Sequence, residues 1–521
     1  MIQEAVTDLN FFGLDSGGPN GYIGLTMSAH RFLAFDLGAE SGRAMLGGLE
    51  NGRLSIVELR RFPNGPLTLF GRLHWNIYAL FEEIQSGLRA CAASLGGEPE
   101  SLAVDTWGVD FGLLAEDGSL LGLPFAYRDP RNLAAMERFL GILPKERIYE
   151  LTGIQFMPFN SLFQLHALML ENPALLRAAS DLLFMPDLAT HFLTGVRTTE
   201  STIASTSQLI DPRSGQWCED LFDALGVSLG LMPKPIRSGT VIGTLRSELA
   251  EGSGLGEILV VDSASHDTAS AVAAVPASGE NWAYISSGTW SLMGIETQRP
   301  LITPRTLELN FTNEGGMEGT IRLLKNVTGL WLVQQCRKKW NAAKPASYDE
   351  LVAAAESAHP FKAVVDPDDA DFLNPADMPE AIREFCRKTK QSVPETPAEI
   401  VRCALESLAL KYRSVLEELR QVSPNPIERI HIIGGGSRNT LLNQFTASAT
   451  SAPVVAGPAE ATAAGNIMGQ ALALGYVRSL EEIRAIVAAS TEPRAFEPRE
   501  TKPWDSAYER FREIIRGQRH D

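Results

Sequence analysis

Two stretches in opposite halves of the chain share one pattern: a strand end, a Gly/Ser turn, and a second apolar strand. The first is DLGAESGRAML (36–46) and the second SSGTWSLMG (286–294). A chain that builds this hairpin twice, each time with helices and further apolar strands after it, is narrowed to a duplicated α/β layout. Two such units facing each other would present both turns to one ligand in the cleft between them.

The segments around the turns repeat as well. RFLAFDLG (31–38), RAMLGGLE (43–50) and RLSIVELRRF (53–62) predict three strands, with Asn51-Gly52 as the hairpin turn between the last two. Ile77, Leu80, Phe81, Ile84 and Leu88 share one face of a helix over 75–95. SLAVDTW (101–107) reads as a buried strand, and 109–127 as a hairpin turning at Asp117-Gly118. Helices and loops fill 140–250. A strand, a polar loop and a small-residue helix follow over 257–275. The pattern then restarts: strand, turn, strand over 281–297, helices over 326–340 and 399–421, a strand into three glycines and a helix over 429–439, a strand at 453–457 and a small-residue helix at 461–475. The reading is an N-terminal extension (1–30) without fixed structure, domains at 31–275 and 276–485, and a C-terminal tail (486–521).

Composition bounds the function. With 46 Lys+Arg against 63 Asp+Glu, the net charge is −17, which excludes a basic footprint for nucleic acid and disfavours an anionic membrane surface. No run of 18 apolar residues is present, and no signal peptide opens the chain. The five cysteines are scattered, with no C-x-x-C pair, which argues against structural zinc and fits a reducing, cytoplasmic setting.

Five segments carry candidate chemistry. In 36–43, the glycines let the backbone approach an anion, Ser41 and backbone N–H groups can donate to phosphate oxygens, and Arg43 adds a fixed charge. Asp36 is suited to hold Mg²⁺ through water. Read alone, the segment is also an ordinary hairpin. In Ser265-His266-Asp267-Thr268, Asp267 stands at a helix start, either as a cap or as a general base that orients a sugar hydroxyl and takes its proton. Thr289 belongs to the second turn, and Gly434-Gly435-Gly436 offers close backbone approach to a flat or phosphorylated ligand. In Asp105-Thr106-Trp107-Gly108-Val109-Asp110, an Asp at the strand end, an aromatic and a Gly fit a polyol site, where the ring stacks and the carboxylate takes hydroxyls, and equally a bend around a buried Trp. No G-x-G-x-x-G, P-loop or G-x-S-x-G motif is present, which sets aside dinucleotide, P-loop and serine-hydrolase chemistry.

In this order the motifs resemble the FGGY carbohydrate kinases of the actin-like ATPase superfamily, from Arg31 to the 480s. The resemblance rests on FDLGAESGR, DTWGVDFGLL, GLPFAYRDPR, TGIQFMPFNSLFQL, SHDTASAV, SSGTWSLMG, TNEGG, LKNVTGLWLVQ, HIIGGGSRNTLLNQ and AGPAEATAAGNI. It implies two actin-like (ribonuclease-H-like) α/β domains facing a central cleft. It also implies phosphoryl transfer from ATP with Mg²⁺, and the DTWGVDF, SHDTASAV and SSGTWSLMG runs are similar to the branch acting on L-rhamnulose. Other ketoses or polyols (L-fuculose, L-ribulose, D-xylulose) are the alternative substrates. A non-catalytic actin-like sugar sensor should lack Asp267 or a phosphate turn, and this chain has both.

Carried over, the resemblance assigns ATP phosphates to Ala39, Glu40, Ser41, Gly42 and Arg43. Thr289, Gln334 and Gly435 would meet the nucleotide. The ketose would meet Gly108, His266, Asp267, Thr268 and Asn326, with Asp267 as proton acceptor. Glu40 departs from the small polar residue usual in this turn. Cys386 and Cys403 stand where the family can form a disulfide, and free thiols are the reading in a reducing compartment. The partners are then a small ketose and ATP, with no nucleic acid or membrane, in a monomer or homodimer.

Overall fold

The computed structural model describes residues 30–94, 98–341, 345–373 and 375–518. The extension over 1–29 lies outside the described residues, and His30 is already the first residue of a strand.

Two sheets form the two lobes. The first contains β1 (His30–Leu37), β2 (Ser41–Glu50), β3 (Arg53–Pro63), β4 (Ser101–Thr106), β5 (Thr240–Thr244) and β6 (Leu259–Asp262), in the order β5-β6-β4-β1-β2-β3. The β2–β3 turn works because Asn51 and Gly52 both take positive φ (51° and 70°), which a tight hairpin needs. The second sheet contains β7 (Trp282–Ser287), β8 (Trp290–Thr297), β9 (Thr312–Gly315), β10 (Ile321–Thr328), β11 (Arg429–Ile433), β12 (Val454–Ala456) and β13 (Arg494–Phe496), in the order β9-β10-β8-β7-β11-β12-β13.

The duplication is visible in these orders. In the first lobe β1–β2–β3 are antiparallel, and β4 and β6 continue parallel to β1. In the second, β7–β8–β10 are antiparallel, and β11 and β12 continue parallel to β7.

Between the lobes lie two helices of small residues, Asp267–Ala273 and Ala461–Ala473. A Cβ on Gly465 would sit 1.7 Å from the Ser270 carbonyl oxygen, so glycine is what lets the two backbones touch. Although it follows β12, the second helix packs on the first sheet. Gln470 Nε2 donates to the Leu33 carbonyl (3.0 Å), and Ser101 Oγ donates to Gln470 Oε1 (2.7 Å). The long helix Pro397–Val422 starts at a capping box of Thr396 and Glu399 with Pro397 in its first turn, and buries Ile400, Ala404, Leu408 and Leu416 in the second lobe.

The hairpin over 109–127 does turn at Asp117-Gly118, where Gly118 has φ 85°: the Ala115 N–H donates to the Ser119 carbonyl and the Leu121 N–H to the Leu113 carbonyl (both 2.8 Å), and its first arm, Phe111–Leu114, also pairs with Asp181–Phe184 on its other side. Two expectations fail. Residues 326–328 end β10, and the helix begins only at Trp331. The supposed tail is integral: β13 completes the second sheet, and the helix Thr501–Gln518 places Trp504, Tyr508 and Phe511 in that lobe's core. Among the described residues no helix is long and apolar enough to cross a membrane.

Candidate active site

A cleft of about 1450 Å³ runs between the lobes. The β1–β2 turn contributes Ala39, Glu40 and Ser41, and the β7–β8 turn contributes Gly288 and Thr289 from the opposite side. Gly108, His266, Asp267, Thr268, Asn326, Gln334 and Gly435 line the same space, so residues spread over the whole chain meet at one site.

At its floor, β6 runs into a polar loop. His266 takes extended backbone and Asp267 starts the short helix. The loop is held from behind by Glu200, whose carboxylate accepts the Ser265 N–H at 3.0 Å, and by Thr202, whose hydroxyl accepts the His266 N–H at 3.2 Å. Asp267 Oδ1 accepts the Thr268 hydroxyl (3.0 Å) and lies 3.4 Å from His266 Nε2. Burial, and then the charge of Asp36, push the Asp267 carboxyl up to about 7, though 30% of its side chain still faces the cleft. A carboxyl with that proton affinity, open to ligand, suits a general base.

Asn326, on β10, presents Nδ2 and its own N–H to Gln155 Oε1, both at 3.0 Å. Gln155 lines the cleft and was not singled out from the sequence. The next residue to Gly108, Val109, has φ 68°, a conformation costly for a β-branched side chain. The Thr206 hydroxyl accepts its N–H (3.0 Å), and Ser161 Oγ donates to its carbonyl (2.5 Å). A Cβ on Gly108 would meet Thr206 at 3.2 Å, so glycine keeps this bend thin.

Of the two readings of 105–110, the aspartates follow the bend around a buried Trp. Asp110 is sealed off and accepts both indole N–H groups, from Trp75 (2.6 Å) and Trp107 (2.9 Å), together with the Tyr127 N–H and the Gln164 amide. It fixes an aromatic wall whose Trp75 and Trp107 rings are 4.2 Å apart. Asp105 is likewise fully buried and accepts Asn466 Nδ2 at 2.6 Å. Burial and the neighbouring Asp36 push its pKa well up.

The first turn divides. Arg43 does not line the cleft: its guanidinium is clamped between Asp36 and Glu460. Burial opposes its charge, but the two carboxylates outweigh it and push its pKa further up. Gly42 is covered by Phe62, whose ring would be 2.3 Å from an added Cβ, so this glycine serves packing. Glu40 faces the cleft with its carboxylate hydrogen-bonded to Thr289. The surrounding walls raise its pKa, and Thr289, Arg128 and Lys338 oppose that rise.

At the Gly-rich end of the cleft Gly434 has φ 79°, and a Cβ on Gly436 would lie 2.0 Å from Ser287 Oγ. Both serve the turn, whereas Gly435 opens onto free space in the cleft. Gln334 Oε1 is buried without a partner, and its side chain lines the same end, which fits a ligand carrying donors such as an adenine or ribose. For Mg²⁺ the fit is narrower. Among the described residues no group of three or more metal-ligating side chains exists, and Asp36 is engaged by Arg43 and absent from the cleft wall. A cation here would depend on phosphate oxygens and water for most of its ligands.

Cys386 and Cys403 lie on adjacent helices with hydrogen-bonded thiols, and both are free.

Two lobes of one duplicated topology, turned toward a cleft with a backbone turn from each side and a buried carboxyl at its floor, define an actin-like phosphotransferase. The chain belongs to the FGGY family of carbohydrate kinases: that family's N-terminal domain matches residues 31–274 and its C-terminal domain residues 283–474. It is therefore a carbohydrate kinase. It is 50% identical over 485 residues to a rhamnulokinase of Bacteroides thetaiotaomicron, covering 93% of this chain and 99% of that protein. It is 40% identical over 458 residues to one of Oceanobacillus iheyensis, covering 88% and 96%. In fold it is similar to a gluconate kinase from Lactobacillus acidophilus (TM-score 0.78, 17% identity, covering 94% of this chain and 98% of that one). A xylulose kinase from Rhodospirillum rubrum is also similar (TM-score 0.75, 18% identity, covering 94% and 98%).

Proposed function

We propose that the chain transfers the γ-phosphoryl group of ATP to O1 of L-rhamnulose, giving ADP and L-rhamnulose 1-phosphate. The observation that carries this is Asp267, a carboxyl raised to about 7 at the floor of a cleft flanked by both backbone turns. Its support is the similarity to rhamnulokinases over nearly the whole chain.

In this reading the ketose lies against Gly108, His266, Thr268 and Asn326, with the Trp75–Trp107 wall beside its carbon chain. Asp267 orients the O1 hydroxyl and accepts its proton as the oxygen–phosphorus bond forms and the bond to the β–γ bridging oxygen breaks. The transition state is loose, so placement matters more than early deprotonation. Ala39 to Ser41 and Thr289 hold the phosphates from opposite walls, and Gln334 and Gly435 receive the nucleoside. Mg²⁺ on the phosphates would neutralise the charge that develops there, with Asp36 reaching it only through water.

The test is ADP release with Mg-ATP and L-rhamnulose, L-fuculose, L-ribulose, D-xylulose or glycerol. The expected result is a kcat/KM preference for L-rhamnulose. Preference for another acceptor would overturn the substrate assignment, and absence of turnover with intact ATP binding would overturn the catalytic one.

A further inference from the structure

Arg322 has no role in the account so far, yet it is a fully buried cation at the boundary between the lobes. It stands on β10, directly across the strand pair from Glu314 on β9. Its Nε donates to the Gly315 carbonyl at 2.9 Å, and its Nη2 lies 3.2 Å from Glu314 Oε2. The same Nη2 lies 3.0 Å from Nδ1 of His266, in the opposite lobe.

A guanidinium has only donors. Where it meets an imidazole nitrogen, that nitrogen must be the acceptor, and the neutral ring then carries its proton on the other one. For His266 the other nitrogen is Nε2, the one beside Asp267. We propose that Arg322 is a positioning residue: it fixes His266 as the Nε2–H tautomer and so aims a hydrogen-bond donor at the ketose next to the base. This rests on the sugar-site role proposed above for His266.

The surroundings show why the second lobe must supply the arginine. His266 is faced by Arg322 and Glu314 from the β9–β10 hairpin and by Asp267 from its own helix, with Glu200 one hydrogen bond behind through Ser265. Glu314 Oε2 is itself only 3.6 Å from His266 Nδ1. Without the guanidinium between them, that carboxylate would draw a proton onto Nδ1 and turn the donor pattern around. Ser205 Oγ, from the first lobe, accepts the Gly315 N–H at 2.7 Å, which docks the hairpin beside the pair. The sugar-side donor is thus set by a strand of the nucleotide-side lobe.

The experiment is 15N NMR of the full chain labelled at histidine, with the His266 signals assigned by comparison with His266→Asn. In the wild type between pH 6 and 8, Nδ1 should resonate as an unprotonated acceptor and Nε2 as a protonated donor. In kinetics, Arg322→Met should raise the ketose KM or lower kcat by about 10- to 100-fold, the loss of a charge-assisted hydrogen bond, and leave the ATP KM within about twofold. Arg322→Lys, which keeps a donor at this place, should retain the tautomer and most of the activity. Adding Arg322→Met to His266→Ala should cost about twofold or less, since the two act as one unit.

A protonated Nδ1 in the wild type, or losses that multiply in the double variant, would overturn this proposal alone. A fully active His266→Ala would overturn the sugar-site reading and this proposal with it. Should Arg322→Met fail to fold, the wild-type spectrum and Arg322→Lys still decide.

Discussion

The two Gly/Ser turns look alike in sequence and behave differently in the fold. In the second, the residue after the glycine reaches the ligand space: Thr289 lines the cleft, and its carbonyl accepts the N–H groups of Gly329 (3.1 Å) and Trp331 (3.2 Å). The turn is thereby fastened to the start of the helix that carries Gln334. In the first, the arginine turns away. Arg43 is clamped by Asp36 beside it and by Glu460 from the far end of the chain, and Glu460 also binds Arg438 at the nucleotide end (2.8 Å). Both turns face the cleft, the second with Thr289 and the first with Glu40, and only the first also sends out an arginine that joins the lobes. Motif similarity gives the two turns one role, and the fold separates Arg43 from the cleft wall that Ala39, Glu40 and Ser41 line.

The largest effect is expected at the residue both turns serve. Asp267→Asn should lower kcat by about 100- to 10,000-fold with ketose binding retained. Near-normal turnover would mean that the turns aim the phosphoryl group elsewhere. The wild-type pH profile should agree. The acceptor must be unprotonated, so kcat/KM should fall as pH drops through about 7. Stability has the opposite sign. The folded state holds this proton more tightly than the unfolded chain, so ionising Asp267 costs stability progressively from its unfolded pKa up to about 7. Asp267→Asn should therefore gain Tm relative to wild type at pH 8 and not at pH 4; an equal change at both would contradict the raised pKa.

The comparison itself is sharpened by Arg43→Met against Thr289→Val. Arg43→Met leaves Asp36 without its cation in a largely buried place, while Glu460 keeps Arg438; removing one member of such a buried pair costs about 3–5 kcal/mol of stability. It should lower Tm clearly and raise both KM values together. Thr289→Val should leave Tm unchanged and raise only the ATP KM, roughly 2- to 10-fold for one hydrogen bond. If Arg43→Met instead raised only the ATP KM with Tm intact, the arginine would belong to the phosphate site after all.

What the sequence revealed followed locality. Asp267, Thr289 and Gly435 were legible because each sits where an apolar strand breaks into a polar or glycine turn. The duplicated sheet order was legible because each strand is a short apolar run with a turn after it. Gln155, Arg322 and Arg128 were not: Gln155 and Arg128 stand in segments that carry the family resemblance, but no strand-to-turn break marks any of the three as facing a ligand. Arg128 lies over the Trp331 ring (4.3 Å) from the opposite lobe, a meeting that only the folded chain makes. The roles of Asp105 and Asp110 stayed open because a carboxylate near a strand end looks the same whether it faces sugar or is sealed against Asn466 or two indoles. Residues 494–496 passed for tail because a three-residue edge strand shows no period.

The smallest effect is expected at Glu40, and it bears on why an acid stands in a phosphate turn. Its carboxylate faces the cleft and is held across it by Thr289, with Arg128 and Lys338 near enough to favour its charge. It therefore bridges the two turns when no phosphate lies between them, and an incoming triphosphate must displace that bond and tolerate the charge. Glu40→Gln keeps the shape and removes the repulsion. The ATP KM should fall roughly 2- to 5-fold at low salt, with a smaller gain at high salt because ions in the open cleft screen the carboxylate. An ATP KM that rises in Glu40→Gln would show that the acid helps the nucleotide bind, and the contrast between the two turns would then be one of ligands rather than of frame and ligand.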